Sequence, residues 1–285
     1  MRPRSGIPDH ANAPTANAAK ANAGTALHTV TITHLLLDIE GTTCPVSFVA
    51  DVLFPYARQR LKPFLEAHGH EPEVIALVED TWQIWLNDRN PAAQELLRQQ
   101  VPDGAATEAA PTTRAADVVR YLEWLIDHDV KATPLKDLQG RIWHEGYAVG
   151  AIVAPLFADV PGVLKRWHSQ GLVLAVYSSG SVPAQQLLYR HSQAGDLTAL
   201  FDHWFDTRSG AKQEASSYRR IAEAMAVEPA AVLFISDALA EVEAAASAGM
   251  AVLFSDRDGN PGRDSGPFAK ISDYSELSFD VAHGS

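Results

Sequence analysis

Three apolar runs in this chain end abruptly in polar clusters. His34-Leu35-Leu36-Leu37 leads into Asp38-Ile39-Glu40-Gly41-Thr42-Thr43. Gly171-Leu172-Val173-Leu174-Ala175-Val176-Tyr177 leads into Ser178-Ser179-Gly180-Ser181, and Ala231-Val232-Leu233-Phe234-Ile235 into Ser236-Asp237. A fourth run is Ala251-Val252-Leu253-Phe254. Short apolar stretches without alternation suit strands buried on both faces, as in parallel sheets. Segments with helical spacing accompany them: Val160–Ser169, Val182–Tyr189, Ser216–Ala226 and Ala240–Ala248. Strand–helix alternation predicts an α/β fold with a doubly wound, Rossmann-like parallel sheet. Ligands of such sheets bind beyond the carboxyl ends of the strands, where the winding reverses. The polar clusters, far apart in sequence, are therefore expected to meet in one crevice.

Between the first and second runs the pattern changes. From about 46 to 150 it is helical, with Val49–Leu65, Val74–Leu86, Ala92–Gln100 and Ala115–Asp127 spaced for helices and no clear strand. Val101–Thr113, with Pro, Asp, Gly and Thr, reads as a loop. A chain of 285 residues accommodates a core plus one smaller insertion. The expected division is a core of 29–45 and 146–285 and an all-helical cap of 46–145. Residues 1–28, rich in Ala, Asn, Pro and Thr, are expected to form a disordered leader. No internal repeat is evident.

Charge narrows the partners. The formal net charge is −12, which repels nucleic acid and anionic membranes. It also repels phosphate-bearing metabolites, so a site for one must supply its own positive charge. The single cysteine, Cys44, excludes an internal disulfide and fits a reducing cytoplasm. No run reaches the roughly 20 apolar residues of a membrane span, and the N-terminus lacks a secretory apolar stretch. Nothing points to an obligate partner, and a monomer is expected.

Each polar cluster has a bland and a chemical reading. Asp38 and Glu40, two apart, point to the same side of a strand, and Gly41 lets the chain turn sharply after them. Such a pair suits a nucleophile beside a general acid/base, or merely a solvated acidic loop. Ser178 to Ser181 precede a helix starting near Val182-Pro183, where Ser caps well. The same hydroxyls and N–H groups can hold a phosphate. Lys212 is either a surface charge or the positive group an anionic substrate needs. Asp237 ends a buried run, so it is a helix cap, or is paired, hydrated or metal-bound. With Asp38 it would make a hard oxygen site suited to Mg²⁺. Glu241, one turn later, is expected to be solvated or to support the site from behind.

Several chemistries are disfavoured. A cysteine phosphatase needs Arg six positions after its Cys, and Ala50 stands there. Neither Gly-x4-Gly-Lys-Ser/Thr nor Gly-x-Gly-x-x-Gly occurs, and the eleven histidines show no zinc spacing.

Taken together, the order acid-x-acid, Ser, Lys, then acid after an apolar strand resembles the haloacid-dehalogenase superfamily. Asp38-Ile39-Glu40-Gly41-Thr42-Thr43, Tyr177 to Ser181, Phe205-Asp206-Thr207 with Lys212, Gln213 to Tyr218, and Ser236-Asp237 with Glu241 are similar to its enolase-phosphatase branch in methionine salvage. Glu40, where a second Asp is usual in the superfamily, is the most discriminating position. Ser236 departs from an expected Thr. The resemblance covers about 33–262, including Trp143 and Gly146-Tyr147.

That resemblance implies Asp38 as nucleophile and Glu40 as general acid/base. Ser178, Ser179 and Lys212 would bind the phosphate end of the substrate, with Lys212 also balancing charge. One Mg²⁺ per monomer would be held by Asp38, the Glu40 carbonyl and Asp237. The implied substrate is 2,3-diketo-5-methylthiopentyl-1-phosphate, enolised and then dephosphorylated to 1,2-dihydroxy-3-keto-5-methylthiopentene. A phosphatase for another small ester, or a non-catalytic phosphate-binding protein on this fold, are the alternatives.

Overall fold

The computed structural model describes residues 31–100, 115–128 and 130–279. The expected leader, 1–28, and the expected loop, 101–113, lie outside the described residues. The chain divides into two compact units.

The first unit takes in Leu156–Ser179, Ala199 onward and the described residues up to Thr43. It is built on six parallel strands: β1 (His34–Leu37), β2 (Val173–Tyr177), β3 (His203–Phe205), β4 (Val232–Ser236), β5 (Ala251–Ser255) and β6 (Lys270–Ile271). Their order is β3-β2-β1-β4-β5-β6, the doubly wound arrangement expected. β3 and β6 were not legible as apolar runs: they are three and two residues long and sit away from the sheet centre.

Register decides what stands where the strands end. Leu37 pairs with Val176 on one side and Ile235 on the other. Asp38 is therefore level with Tyr177 and Ser236, and its N–H continues the ladder to the Ile235 carbonyl at 3.0 Å. β1, at the centre, is buried from Leu35 to Leu37. One sheet face, carrying Leu36, Ala175, Tyr177 and Phe234, packs with Tyr218, Ile221, Ala222 and Met225 and with Ala244, Ala245 and Ala248. The spacing 218, 221, 222, 225 is the stripe that makes Ala215–Ala224 an amphipathic helix. Gly249, at φ +97°, ends the neighbouring helix, Leu239–Ser247, in the left-handed conformation that favours glycine.

The second unit takes in Cys44–Pro155 and Gly180–Thr198. Five helices longer than one turn are described in its first stretch: α1 (Phe54–His68), α2 (Pro72–Asn87), α3 (Pro91–Gln100), α4 (Val119–Asp127) and α5 (Thr133–Ala148). The helix expected at Val49–Leu65 starts differently, with a one-turn helix at Val46–Phe48 and a π-helical turn at Val49–Leu53 ahead of α1. This unit extends past the expected cap boundary at 145 and takes in the helix Val182–Arg190, which packs against α5. A backbone bridge from Ala154 to Ser192 closes that contact.

The core of the helical unit is aromatic. Trp85 is fully buried, donates Nε1–H to the Ala93 carbonyl at 2.8 Å, and stacks on Tyr121 with ring centroids 4.9 Å apart. The Tyr121 hydroxyl in turn donates to Asp88 at 2.7 Å. Among the described residues no helix is long and apolar enough to cross a membrane. Replacing Trp85 by Ala removes a filled aromatic volume and the hydrogen bond to the Ala93 carbonyl, a loss of about 3–5 kcal/mol. Urea titration followed by far-UV circular dichroism should show the midpoint fall accordingly; a change below about 1 kcal/mol would contradict this packing account.

Candidate active site

Beyond the ends of β1 and β4 the chain buries a cluster of charge. Asp38 follows β1 and is 5% exposed. The Lys212 ammonium lies 2.6 Å from Asp38 Oδ1 and 2.7 Å from Glu241 Oε2. Ser236 donates its hydroxyl to Glu241 Oε2 at 2.8 Å and sits 3.4 Å from Asp38 Oδ2, while accepting the Ala238 N–H at 3.2 Å. Two of the bland readings fall here. Lys212 is no surface charge, since only a tenth of its side chain is exposed. Glu241 is not solvated but holds the same Lys212 ammonium at 2.7 Å, with only 15% of its side chain exposed.

The loop carrying Lys212 is gripped through its carbonyls. The Tyr177 hydroxyl donates to Gly210 O at 2.9 Å, the Tyr218 hydroxyl to Lys212 O at 2.7 Å, and Arg220 Nε to Ser209 O at 2.9 Å. The Lys212 ammonium also lies 5.7 Å from the centroid of the Tyr177 ring. Both tyrosines are fully buried, so the loop is fastened to the sheet core rather than to solvent-facing groups.

Electrostatics follow from the count of charges. Burial works against the Lys212 charge, but Asp38 and Glu241 outweigh it and keep the ammonium firmly protonated. Glu241 is pushed up to about 7 by burial and by the Asp38 carboxylate, against the pull of Lys212. Asp237 is likewise pushed up to about 7, by burial and then by Asp38 and Glu241. Three carboxylates thus face one ammonium, and the cluster is left with excess negative charge.

Asp237 does not cap the following helix; Ala238 occupies the N-cap position, without a side-chain cap bond. Its carboxylate packs instead on Gly41, where a Cβ would overlap Asp237 Oδ2. Gly41 has φ +67°, so both space and backbone exclude any other residue. The buried Asp38 carboxylate and the half-buried Asp237 carboxylate offer oxygen donors suited to a hard divalent cation that retains water. Among the described residues no three His, Cys, Asp or Glu side chains form a metal site by themselves.

The remaining expected residues are placed as follows. Glu40 is partly exposed at the turn after Asp38. Ser178 is buried beyond β2, the neighbour of β1, with its N–H on the Phe205 carbonyl at 3.2 Å, and Ser179 is exposed. Ser181 holds the N-cap position of Val182–Arg190 but makes no side-chain cap bond. Thr42 is fully buried, and its hydroxyl has no hydrogen-bond partner. Sequence reasoning missed the carbonyl clamp of Tyr177, Tyr218 and Arg220, and Asn260, which reaches Gly41 from the loop after β5. Only Tyr177 and Tyr218 fell within the motif stretches already singled out.

A six-stranded parallel sheet thus carries an acid-and-lysine cluster beyond its central strand ends. The family model for haloacid dehalogenase-like hydrolase matches residues 32–249, and the chain belongs to that family. Within it, the chain is similar to the Enolase-phosphatase E1 of Prochlorococcus marinus (strain MIT 9313), 48% identical over 85% of this chain and 96% of that protein. It is also 48% identical to the Enolase-phosphatase E1 of Synechococcus elongatus, over 87% of this chain and 98% of that one. Among solved structures it resembles the UTR4 protein of Saccharomyces cerevisiae, with a TM-score of 0.62 and 32% identity over 86% of this chain and 100% of that chain.

The raised Asp237 carboxyl has a stability consequence. Its ordinary value is 3.8 and its folded value about 7, so the folded metal-free protein binds the proton more tightly. Its contribution is fully favourable below about pH 4 and is lost as pH rises to about 7. Denaturant titrations of metal-free protein between pH 4 and pH 8 should show Asp237→Asn losing less stability than wild type over that window. Parallel curves would refute it.

Proposed function

We propose that this chain is a bifunctional enolase-phosphatase. It converts 2,3-diketo-5-methylthiopentyl-1-phosphate through its enol phosphate to 1,2-dihydroxy-3-keto-5-methylthiopentene and phosphate, in methionine salvage. The observation that carries the reading is the buried Asp38–Lys212–Glu241 cluster, with Asp237 beside it, in a chain 48% identical to Enolase-phosphatase E1 proteins.

Asp38 is the nucleophile. Lys212 holds its Oδ1, and Ser236 lies near Oδ2, so the carboxylate keeps one orientation as phosphorus approaches. Its oxygen forms a bond to phosphorus as the bond to the C1 oxygen breaks, giving an aspartyl-phosphate and the enol product. Glu40, partly exposed just past Asp38, gives a proton to the departing oxygen. It then takes one from the water that attacks the aspartyl-phosphate, and inorganic phosphate leaves. Ser178 and Ser179, beyond the neighbouring strand, receive the phosphate end of the substrate.

Enolisation precedes this step. A base removes a proton from C1, which is acidified by the adjacent carbonyl, and the C2 oxygen takes up a proton from solvent, giving the enol phosphate. Glu40 is our assignment for that base, so one carboxylate serves both halves of the reaction. The resident cation is Mg²⁺, one per chain, held by Asp38, the Glu40 backbone carbonyl and Asp237. When bound it supplies the positive charge that phosphoryl transfer needs. We further propose that the helical unit acts as a cap that excludes water and selects the substrate.

A spectral time course with the diketo phosphate tests the whole reading. Wild type with Mg²⁺ should give two successive spectral phases and release phosphate, and EDTA should abolish phosphate release. Asp38→Asn should lower phosphate release by at least about 10³-fold. Glu40→Gln should lose both phases; normal build-up of the enol phosphate in that variant would remove Glu40 as the enolisation base. Turnover of unrelated phosphate esters with no enol phase would replace the reading with that of a general phosphatase.

A further inference from the structure

Asn260 lies outside every motif described above, yet it reaches the centre of the site. It is 8% exposed. Its Nδ2 donates to the Gly41 carbonyl at 2.9 Å and to the Ser255 carbonyl at 3.2 Å. Both partners are carbonyls, which only accept, so the orientation of the amide is fixed by chemistry. Oδ1 must then face the other way, and it has no hydrogen-bond partner in the protein.

The direction it faces is informative. A Cβ built on Gly41 would overlap Asp237 Oδ2 and stand 2.9 Å from Asn260 Oδ1. An amide oxygen and a carboxylate oxygen thus converge over the same glycine, both acceptors. A half-buried carboxylate beside a buried amide oxygen that has no partner in the protein favours a cation between or beside them. The protein spends several side chains on keeping this convergence. Gly41 O also accepts the Ser255 hydroxyl at 2.9 Å, and Ser255 Oγ accepts from the Tyr274 hydroxyl at 2.9 Å. Two residues past β5, Arg257 is locked by Asp159 through contacts of 3.0 and 2.9 Å and lies over the Tyr274 ring, 3.9 Å from its centroid. The segment that leads from β5 to Asn260 is therefore anchored.

We propose that Asn260 is a positioning residue of the cation site. Its amide N–H groups fasten the turn after Glu40, and its Oδ1 is a neutral oxygen directed at the cation beside Asp237, either directly or through a water held on it. The inference rests on the proposed Mg²⁺ site and adds to it a residue contributed by the loop after β5.

Isothermal titration calorimetry of the full chain with Mg²⁺ tests this without reference to turnover. Asn260→Ala removes the oxygen and should weaken Mg²⁺ binding about tenfold, the usual range for an outer partner of a metal site. Asn260→Asp keeps an oxygen but loses the donors, and should bind Mg²⁺ at least as tightly as wild type. Ser255→Ala loosens the same Gly41 carbonyl without touching Oδ1, and should stay close to wild type. Equal affinity of Asn260→Ala and wild type would overturn the inference, as would a loss in Ser255→Ala as large as in Asn260→Ala. Should Asn260→Ala fail to fold by circular dichroism, Asn260→Asp decides, and a tenfold loss there would overturn it. If wild type itself takes up no Mg²⁺, the proposed cation site fails, and this inference with it.

Discussion

The ammonium of Lys212, held between Asp38 and Glu241, is the contact on which the rest of the site depends. A buried carboxylate without a partner is costly, and two side by side are worse. One lysine makes both tolerable, but only if its position is fixed. That explains why three side chains, Tyr177, Tyr218 and Arg220, are used to hold the carbonyls of a four-residue stretch of loop. Removing Lys212 would leave two adjacent buried carboxylates with no cation from the protein, a larger disturbance than losing one hydrogen bond. The ion triad orients the proposed nucleophile more than it stabilises the fold, because desolvating three charges offsets much of their attraction.

How much of this was legible beforehand depended on run length and on chemistry. β1, β2, β4 and β5 announced themselves as apolar runs because parallel strands are buried on both faces. β3 and β6 are too short for any periodicity to register. Asp38 and Asp237 were found because strand-terminal charge is conspicuous, and Lys212 because an acidic chain needs a positive group for a phosphate. Glu241 was undervalued: on a helix its spacing allows a solvated face, and only the fold turns that face toward Lys212. Asn260 carried no signal, since a polar residue in Asp256-Arg257-Asp258-Gly259-Asn260-Pro261 reads as a turn. The helix Val182–Arg190 groups with the helical unit because it packs on α5, a contact that no local pattern encodes.

Glycine at position 41 couples these parts. Its left-handed backbone turns the chain away directly after Glu40, and its missing side chain leaves the space that Asp237 fills. The turn after β1 and the Asp237 carboxylate can therefore lie against each other in the space a side chain at 41 would fill. Ser255 and Asn260 then hold the Gly41 carbonyl from the third strand, β5. Three strand ends are thereby tied through one backbone unit, which fixes Asp38 and Asp237 relative to each other without a direct bond between them.

The charge problem posed by the sequence resolves at this point. A chain of net charge −12 has to receive a phosphate ester. Lys212 alone does not attract one, because Asp38 and Glu241 already neutralise it and the cluster remains negative. A phosphate dianion approaching that cluster would meet repulsion at short range, where the low local dielectric makes it severe. The elevated proton affinity of Asp237 and Glu241 expresses the same deficit of positive charge. The proposed divalent cation beside Asp38 and Asp237 would cancel that excess negative charge, displace those protons, and let Lys212 share its charge with the phosphoryl oxygens. On this account the proposed cation is what would let an acidic protein receive an anion.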